Sequence, residues 1–352
     1  MLGNPRRTRN PSRHKSLPLA HRSCCGISPA KALDSPTFVL VSEVSQSASS
    51  LFMKPILHSV SYSGLWGQHR LSLEDFVPHA ARLGYAGVML MTKRPHLSPL
   101  DYDEPRLARL ADLLREHNLS VDCLAGYSDP GAGWSASGGP FAPLGETQLM
   151  AIDHWSRLAQ RLDCRLLRLL TGPAASGEPY TTQWNRCVAF LREACDRAAE
   201  YGVTIGVQNH DDLGVHYLSF AELIDEIDRP NCRACFDAWS VALQEGDMAE
   251  AVRHLGSRTV HTTVADYVRW PRFQYHPPGD GNVYERVLDE VRAVAPGEGF
   301  IDYASFFDAL AQQGYEGAMA FEMCSPIRGG GSLENLDRYA SKFLEFAKPW
   351  LD

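Results

Sequence analysis

The 352-residue sequence predicts an α/β protein, a closed (β/α)8 TIM barrel in a single domain that follows a disordered N-terminal extension. Two observations carry this prediction. From residue 55 onward, short apolar strand-like runs alternate with amphipathic helical segments, and eight such pairs can be counted. Eight units in roughly 250–300 residues are typical of a closed barrel, whose functional residues follow the carboxyl ends of the strands. The alternative is a doubly wound open sheet, but no Gly-x-Gly-x-x-Gly motif follows the first strand.

The predicted strands are short, mostly apolar runs bounded by turn residues. They are expected at residues 56–62, 87–91, 120–124, 165–170, 203–208, 233–237, 258–264 and 317–322.

The predicted helices carry apolar residues at helical spacing, as in Leu107, Leu110 and Leu114. Ser72 before two acidic residues predicts a helix start, and Gly84 predicts the end of that helix. The helices are expected at residues 72–83, 105–117, 146–162, 182–201, 219–227, 247–255, 302–313 and 332–347.

Two longer connections interrupt this alternation. Residues 126–145 are rich in Gly, Ser and Pro, which is typical of a binding loop or lid. Residues 266–299 are expected to form an irregular excursion after the seventh strand.

Residues 1–53 differ from the rest of the chain in composition. They hold seven Lys and Arg residues and two acidic ones, a balance of +5 that leaves −13 for the remainder of a chain whose net charge is −8. Rich in Arg, Ser and Pro and without apolar periodicity, they are expected to be disordered. They could be a transit segment, a twin-arginine signal or upstream sequence translated from a mis-assigned start. We favour the last, with Met53 as the first residue and the barrel over residues 54–352.

Composition restricts the partners and the setting. The net charge of −8 disfavours a nucleic-acid partner, and no apolar run reaches the ~18 residues of a membrane span. Nine cysteines without a secretory signal favour reduced thiols and a cytoplasmic location. A homo-oligomer stays open.

Polar residues close four successive predicted strands, and we expect them to meet at one mouth of the barrel. Gln208 closes the fifth strand, Asp237 the sixth and Glu322 the eighth, while His261 lies within the seventh. These side chains would hold a divalent cation such as Mg²⁺, Mn²⁺ or Zn²⁺. His261 could instead be a hydrogen-bonded core histidine, and Gln208 could simply satisfy backbone groups.

Further residues suggest a polar, carbohydrate-like ligand. Trp239 offers an aromatic face for a sugar ring, and Arg272 lies in the excursion after the seventh strand. Arg328 precedes three glycines after the eighth strand, where barrels often bind phosphate, although it could equally be a solvated surface residue.

The chain also resembles a known family, the sugar phosphate isomerase/epimerase group of xylose-isomerase-like TIM barrels, over residues 56–351. The motifs that carry the resemblance are Leu-Gly-Tyr-Ala-Gly-Val at 83–88, the run at 203–210, Phe-Asp at 236–237, the run at 297–303, Gly-Tyr-Glu-Gly at 314–317 and Phe-Glu at 321–322.

The resemblance implies a divalent metal held by Glu, Asp, His and Glu from strands five to eight, with the two Glu residues as acid and base. Asp237 and Glu322 match their family positions. Gln208 stands where the first Glu is expected, and Thr263 stands where the His is expected, two residues after His261. Because Gln cannot accept a proton, Glu322 is the best single base, with His210 as a candidate second proton carrier.

The resemblance thus predicts a metal-dependent sugar isomerase or epimerase that moves a proton next to a carbonyl group. A lyase acting on 3-keto glycosides is the close alternative. A non-catalytic sugar-binding barrel also remains open, because a fold does not by itself define a function. A nuclease on the same barrel is disfavoured by the acidic balance and the few histidines at the strand ends.

Overall fold

The structure is a computed structural model, and it describes residues 53–132, 143–277, 279, 281 and 283–351. The predicted disordered extension therefore lies outside the described residues, apart from Met53. Part of the predicted loop at 126–145 also lies outside them.

Eight parallel strands close into a barrel, which confirms the predicted fold class. They follow one another around the barrel in the order β1, β10, β7, β6, β5, β4, β3, β2 and back to β1. Their bounds are β1 Lys54–His58, β2 Gly87–Met91, β3 Ser120–Ala125, β4 Leu166–Leu169, β5 Thr204–Gln208, β6 Cys232–Cys235, β7 Thr259–Val264 and β10 Ala318–Phe321.

The helices pack around the barrel, and their starts show the capping chemistry expected from the sequence. Ser72, Asp103 and Ser332, for example, each accept a hydrogen bond from a backbone N–H of the first helical turn. The bounds are α1 Leu73–Leu83, α2 Glu104–Glu116, α3 Leu144–Arg161, α4 Tyr180–Ala199, α5 Tyr217–Ile227, α6 Ala238–Leu243, α7 Met248–Leu255, α8 Tyr303–Gln312 and α9 Leu333–Ala347. None of the helices in the described ranges is long and apolar enough to cross a membrane.

Apolar side chains form two layers, one on each face of the barrel strands. The larger one packs strands against helices, and a smaller one fills the barrel. The inner layer consists of Ile56, Met89, Cys123, Ala125, Leu166, Cys235, Ala318 and Ala320. Because side chains alternate along a strand, residues two positions further on also point inward, toward the mouth.

The first strand is shorter than predicted. It ends at His58, and a 3₁₀ turn over Ser59–Tyr62 follows. Residues 59–62 had suggested continued strand because they include Val60 and Tyr62, yet the chain turns there and buries both side chains. Because the strand ends at His58, this residue lies at the mouth of the barrel and not in the middle of the strand.

The prediction of an irregular excursion after the seventh strand is wrong. Residues 266–294 contain an antiparallel pair, β8 Asp266–Tyr275 and β9 Tyr284–Val294, which is separate from the barrel sheet. Charged and aromatic residues alternate within it, and both faces are largely exposed, so the apolar periodicity of a half-buried strand is missing.

Candidate active site

The mouth of the barrel carries a ring of inward-pointing polar side chains at the carboxyl ends of the strands. Each of these side chains lies two residues after another inward-facing residue of the same strand. In four strands that residue belongs to the inner apolar layer, and in the other two it is Gly206 or His261. The ring consists of His58, Arg168, Gln208, Asp237, Thr263 and Glu322.

Asp237 is the centre of a saturated hydrogen-bond network. Thr263 donates its backbone N–H to Oδ1 at 2.8 Å and its hydroxyl to Oδ2 at 2.6 Å. Gln208 donates its amide Nε2 to the same Oδ2 and, at 3.2 Å, to Thr263 Oγ1. Asn209 accepts a hydrogen bond from the backbone N–H of Asp237 at 2.8 Å. The network holds the Asp237 carboxylate rigidly, with most of its lone pairs in use.

Glu322 pairs with a histidine that sequence reasoning missed. His58 Nδ1 lies 2.9 Å from Glu322 Oε2, and Cys324 donates its thiol to Oε1 at 3.4 Å. His58 is 1% exposed, whereas the Glu322 side chain is 14% exposed. The carboxylate therefore reaches the open mouth while the imidazole supports it from the wall.

The pKa shifts separate the roles of the two carboxyl groups. Burial raises the pKa of Glu322, but the hydrogen bond from His58, the charge that His58 carries when protonated and the charge of Arg168 outweigh burial and bring the pKa below its usual value. Burial, with the nearby charge of Glu322, raises the pKa of Asp237 to about 6. Burial also lowers the pKa of His58, so the neutral imidazole donates Nδ1–H to an ionised Glu322.

His261 does not reach the ring. Its Cα pairs with Ala318 of β10, whereas Thr263 pairs with Ala320, so His261 lies about 6–7 Å deeper along the strand. It is 1% exposed, and neither ring nitrogen has a hydrogen-bond partner among the described residues. Burial, with the charges of His58 and Arg168, lowers its pKa to about 3, so it is a neutral interior residue.

The residues predicted to hold a metal do not form a suitable donor set. No group of three or more His, Cys, Asp or Glu side chains in the described part of the chain is placed to hold a cation. Gln208 turns its amide N–H toward Asp237, Thr263 donates where a His ligand was expected, and His261 lies too deep. The predicted ligands Gln208, Asp237, His261 and Glu322 thus fit a hydrogen-bonded network better than a divalent cation.

A second charged group near Glu322 was also missed. Arg168, in β4, points inward and is 5% exposed, and its guanidinium carbon lies 4.9 Å from the centroid of the Tyr127 ring. Lys93 Nζ lies 3.6 Å from the centroid of the same ring. The charge of Arg168 also contributes to the lowered pKa of Glu322.

The other predicted catalytic residue, His210, lies outside the buried ring. Its side chain is 53% exposed, and its Nδ1 lies 3.1 Å from Asp211 Oδ1. The hydrogen bond and the charge of Asp211 raise the pKa of His210 despite the opposing effect of burial. A proton-carrying role for His210 stays a prediction.

The predicted substrate residues occupy three different places. Trp239 lies 4.3 Å, ring centroid to centroid, from Tyr267, whose hydroxyl is 3.1 Å from the Cys324 thiol that contacts Glu322. Trp239 also lines a cavity of about 940 Å³ beside the β8–β9 hairpin. Arg272 is exposed on that hairpin, and Arg328 pairs with Glu298 at 2.6 Å. Substrate contact by these residues stays a prediction.

Sequence reasoning missed His58 and Arg168 for identifiable reasons. His58 was placed inside a longer strand, although it is the polar residue that closes a buried run. Arg168 sits between leucines in a strand whose four residues are all buried. Burying a charged Arg costs free energy unless it is paired or binds a ligand. An Arg within an apolar strand was therefore the feature that could have indicated a functional residue.

The closed barrel defines a TIM-barrel protein, and its polar ring lies at the carboxyl ends of the strands, where barrels of this class carry their functional residues. The sequence profile of the family described as xylose isomerase-like TIM barrel matches residues 77–346. The chain therefore belongs to the xylose isomerase-like TIM barrel family, which confirms the predicted family.

Two named relatives resemble the chain in sequence. It is 26% identical over 309 residues to the L-ribulose 3-epimerase of Methylomonas sp. strain DH-1, covering 83% of this chain and 95% of the relative. It is 25% identical over 216 residues to the 2-oxo-tetronate isomerase of Pectobacterium atrosepticum, covering 59% of this chain and 78% of the relative. These names agree with the predicted enzyme class, an isomerase.

Among solved structures, the D-psicose 3-epimerase of Clostridium cellulolyticum H10, determined with D-tagatose, superposes with a TM-score of 0.64. The match covers 85% of this chain and 100% of that chain at 17% identity. At this identity the likeness establishes the shared fold alone.

Proposed function

We propose that this chain is an isomerase that moves a proton at the carbon next to the carbonyl group of a sugar or sugar derivative. The observation that carries the proposal is the Glu322–His58 pair, an ionised carboxylate at the barrel mouth supported by a buried imidazole at 2.9 Å. Its setting in a family whose named relatives include an epimerase and an isomerase supports the same class.

Glu322 would accept the proton from the carbon beside the carbonyl group. The electron pair of the broken C–H bond would form a C=C bond, and the C=O π pair would move onto the carbonyl oxygen to give an enediolate. Delivery of a proton from Glu322 to the former carbonyl carbon, with transfer of the hydroxyl proton of the first carbon to the former carbonyl oxygen, completes an isomerisation with a single base. His58 would act as a positioning residue that fixes the Glu322 carboxylate by donating Nδ1–H.

A single base favours isomerisation over epimerisation. Epimerisation at one carbon needs proton transfer on both faces, and Gln208 cannot accept a proton at neutral pH. Asp237 is held by Thr263 and Gln208, so it supports the site more than it exchanges protons. The reaction described here uses only side chains of the ring, since their donor set does not fit a divalent cation.

A lyase reaction is the second candidate, because the same single base could remove a proton before a neighbouring group leaves. The two reactions differ in their products, since only the lyase releases a separate fragment. The cytoplasmic setting and a homo-oligomeric assembly stay predictions.

The proposal is tested by incubating the protein in D2O with panels of ketoses, aldoses, sugar acids and 3-keto glycosides. NMR then measures the isomeric product, deuterium uptake next to the carbonyl and any released fragment. Glu322→Gln keeps the size of the side chain but removes the base, so exchange should fall by at least about 100-fold.

Glu316→Gln is the matched control, because Glu316 is an exposed residue just before the opposite end of the same strand. It should exchange at the wild-type rate. Unchanged exchange in Glu322→Gln would refute the assigned base, and fragment release would replace the isomerase with the lyase. A complete absence of both isomeric product and exchange with the wild-type protein across the panel would favour a sugar-binding barrel without catalysis.

A further inference from the structure

Arg168 is a buried cation without a partner of opposite charge. Its side chain lies inside the barrel, and it forms no ion pair within 4.0 Å with any residue in the described ranges. Its Nε is buried and has no hydrogen-bond partner there. A guanidinium withdrawn from water in this way is costly, and the cost is offset when an anion binds it.

The surroundings of Arg168 preserve this uncompensated charge. The guanidinium rests against Tyr127, which also carries Lys93 at 3.6 Å from the ring centroid. Two cations on one aromatic ring form a positively charged wall on the β3 and β4 side of the mouth. The charge of Arg168 lowers the pKa of both Glu322 and Asp211, yet Arg168 makes no ion pair within 4.0 Å with either carboxylate.

Across the mouth from Arg168, the carboxylates of Asp237 and Glu322 are not arranged to bind a metal. Asp237 accepts three hydrogen bonds from Gln208 and Thr263, and Glu322 Oε2 pairs with His58. A cation placed between Asp237 and Glu322 would have to displace these hydrogen bonds and would also face the charge of Arg168. In an isomerisation, negative charge develops on the carbonyl oxygen, so such a site needs positive charge beside that oxygen.

We propose that Arg168, rather than a divalent cation, supplies the positive charge of this centre, and that it binds an anionic oxygen group of the substrate. The inference rests on the proposed function for its account of catalysis, but the binding site can be tested without turnover. A substrate with a carboxylate, such as a sugar acid, fits a planar guanidinium that can form two parallel hydrogen bonds. A phosphate ester shares the anionic oxygen chemistry, and the experiment separates the two.

The first arm measures binding of a matched pair of probes by calorimetry in buffer with a chelator. D-Gluconate and D-glucitol differ only in a carboxylate against a hydroxymethyl group. Wild-type protein should bind gluconate at least about tenfold more tightly than glucitol, a difference of about 1.4 kcal/mol. Arg168→Gln should lose this preference, and Arg168→Lys, which keeps the charge but not the planar fork, should retain part of it.

Arg165→Gln is the matched control, because Arg165 is an exposed residue just before the other end of β4. It should keep the wild-type preference. If Arg168→Gln fails to fold, wild type and Arg168→Lys still decide the outcome. Inorganic phosphate that competes with gluconate would assign the site to phosphate esters as well, and its failure to compete would restrict the site to carboxylates.

The second arm titrates Mn²⁺ and follows its free concentration by electron paramagnetic resonance. Wild-type protein should show no saturable binding in the micromolar range. A Gln208→Glu and Thr263→His double variant, which rebuilds the donor set of the resembled family, should bind Mn²⁺ at least about tenfold more tightly than wild type.

Equal affinity of wild-type protein for gluconate and glucitol would overturn the proposal, as would a preference that survives in Arg168→Gln. Saturable Mn²⁺ binding by wild-type protein that is lost in Glu322→Gln would also overturn it. If Glu322→Gln leaves proton exchange unchanged while gluconate still depends on Arg168, the proposed reaction fails and the anion site stands.

Discussion

At the scale of single residues, the two acidic side chains at the mouth have different tasks because their neighbours differ. Glu322 interacts with His58, through a hydrogen bond and through charge, and with the charge of the buried Arg168, and these interactions favour its ionised form. Asp237 is more deeply enclosed and feels the charge of Glu322, which favours its protonated form. Both acids were predicted as ligands of one metal, and only the assembled contacts reveal the division between them.

Asp237 should make the stability of the protein depend on pH. Its pKa in the fold, about 6, lies above the ordinary value of 3.8, so its contribution is full below about pH 4 and is lost as the pH rises through 6. This should amount to about 3 kcal/mol at most between pH 4 and 7. Chemical denaturation across this range should show the decline in wild type and a flatter profile in Asp237→Asn.

The control for this measurement is Asp112→Asn on the exposed side of α2, which should leave the wild-type profile unchanged. A wild-type profile that rises between pH 5 and 7, with the same slope in Asp237→Asn, would contradict the assignment.

At the scale of elements, one buried side chain, that of Asp266, accepts hydrogen bonds from several backbone groups at the base of the β8–β9 hairpin. Asp266 Oδ2 accepts hydrogen bonds from the backbone N–H groups of Gly297 at 2.9 Å and Gly299 at 2.8 Å. Its Oδ1 accepts from Tyr267 at 2.8 Å and Ile301 at 3.3 Å. This acid therefore fixes where the hairpin leaves β7 and where the chain returns to α8.

Removing this carboxylate should loosen the hairpin base. Asp266→Ala leaves several buried N–H groups without a partner and should lower the free energy of unfolding by about 2–4 kcal/mol. Denaturant unfolding measures the loss, and hydrogen exchange should increase first at residues 297–301. Asp289→Ala, which removes an exposed acid of β9, should change stability by less than about 1 kcal/mol. Equal losses in the two variants would contradict the role of Asp266.

At the scale of the whole molecule, the interior of the closed barrel is tightly filled by side chains. Gly206 of β5 faces that interior, where an added methyl group would overlap the thiol of Cys235 and lie 3.0 Å from Leu166 Cδ1. Arg168 pairs in register with Gly206 and lies on the same side as Leu166. The small residue thus leaves space for the apolar layer beneath the charged ring.

Filling this space should strain the barrel. Gly206→Ala should destabilise the protein by about 1–3 kcal/mol, because the methyl group meets neighbours that are packed on all sides. Thermal unfolding provides the measurement. Gly145→Ala is the control, since no atom lies within 4 Å of its added methyl group and the exposed start of α3 favours alanine. A loss in Gly145→Ala as large as in Gly206→Ala would rule out interior crowding as the cause.

The sequence by itself determined the barrel and its family, because alternating apolar runs and capped helices are local patterns and each strand carries its own signal. It also placed Gln208, Asp237 and Glu322 at strand ends. Only the tertiary structure decided which of these groups meet, that His261 lies a layer deeper, and that His58 and Arg168 complete the centre. His58 of β1 meets Glu322 after β10, and Arg168 of β4 lies in the same ring, although these residues are far apart in the chain. Their relative positions are set only when the barrel closes.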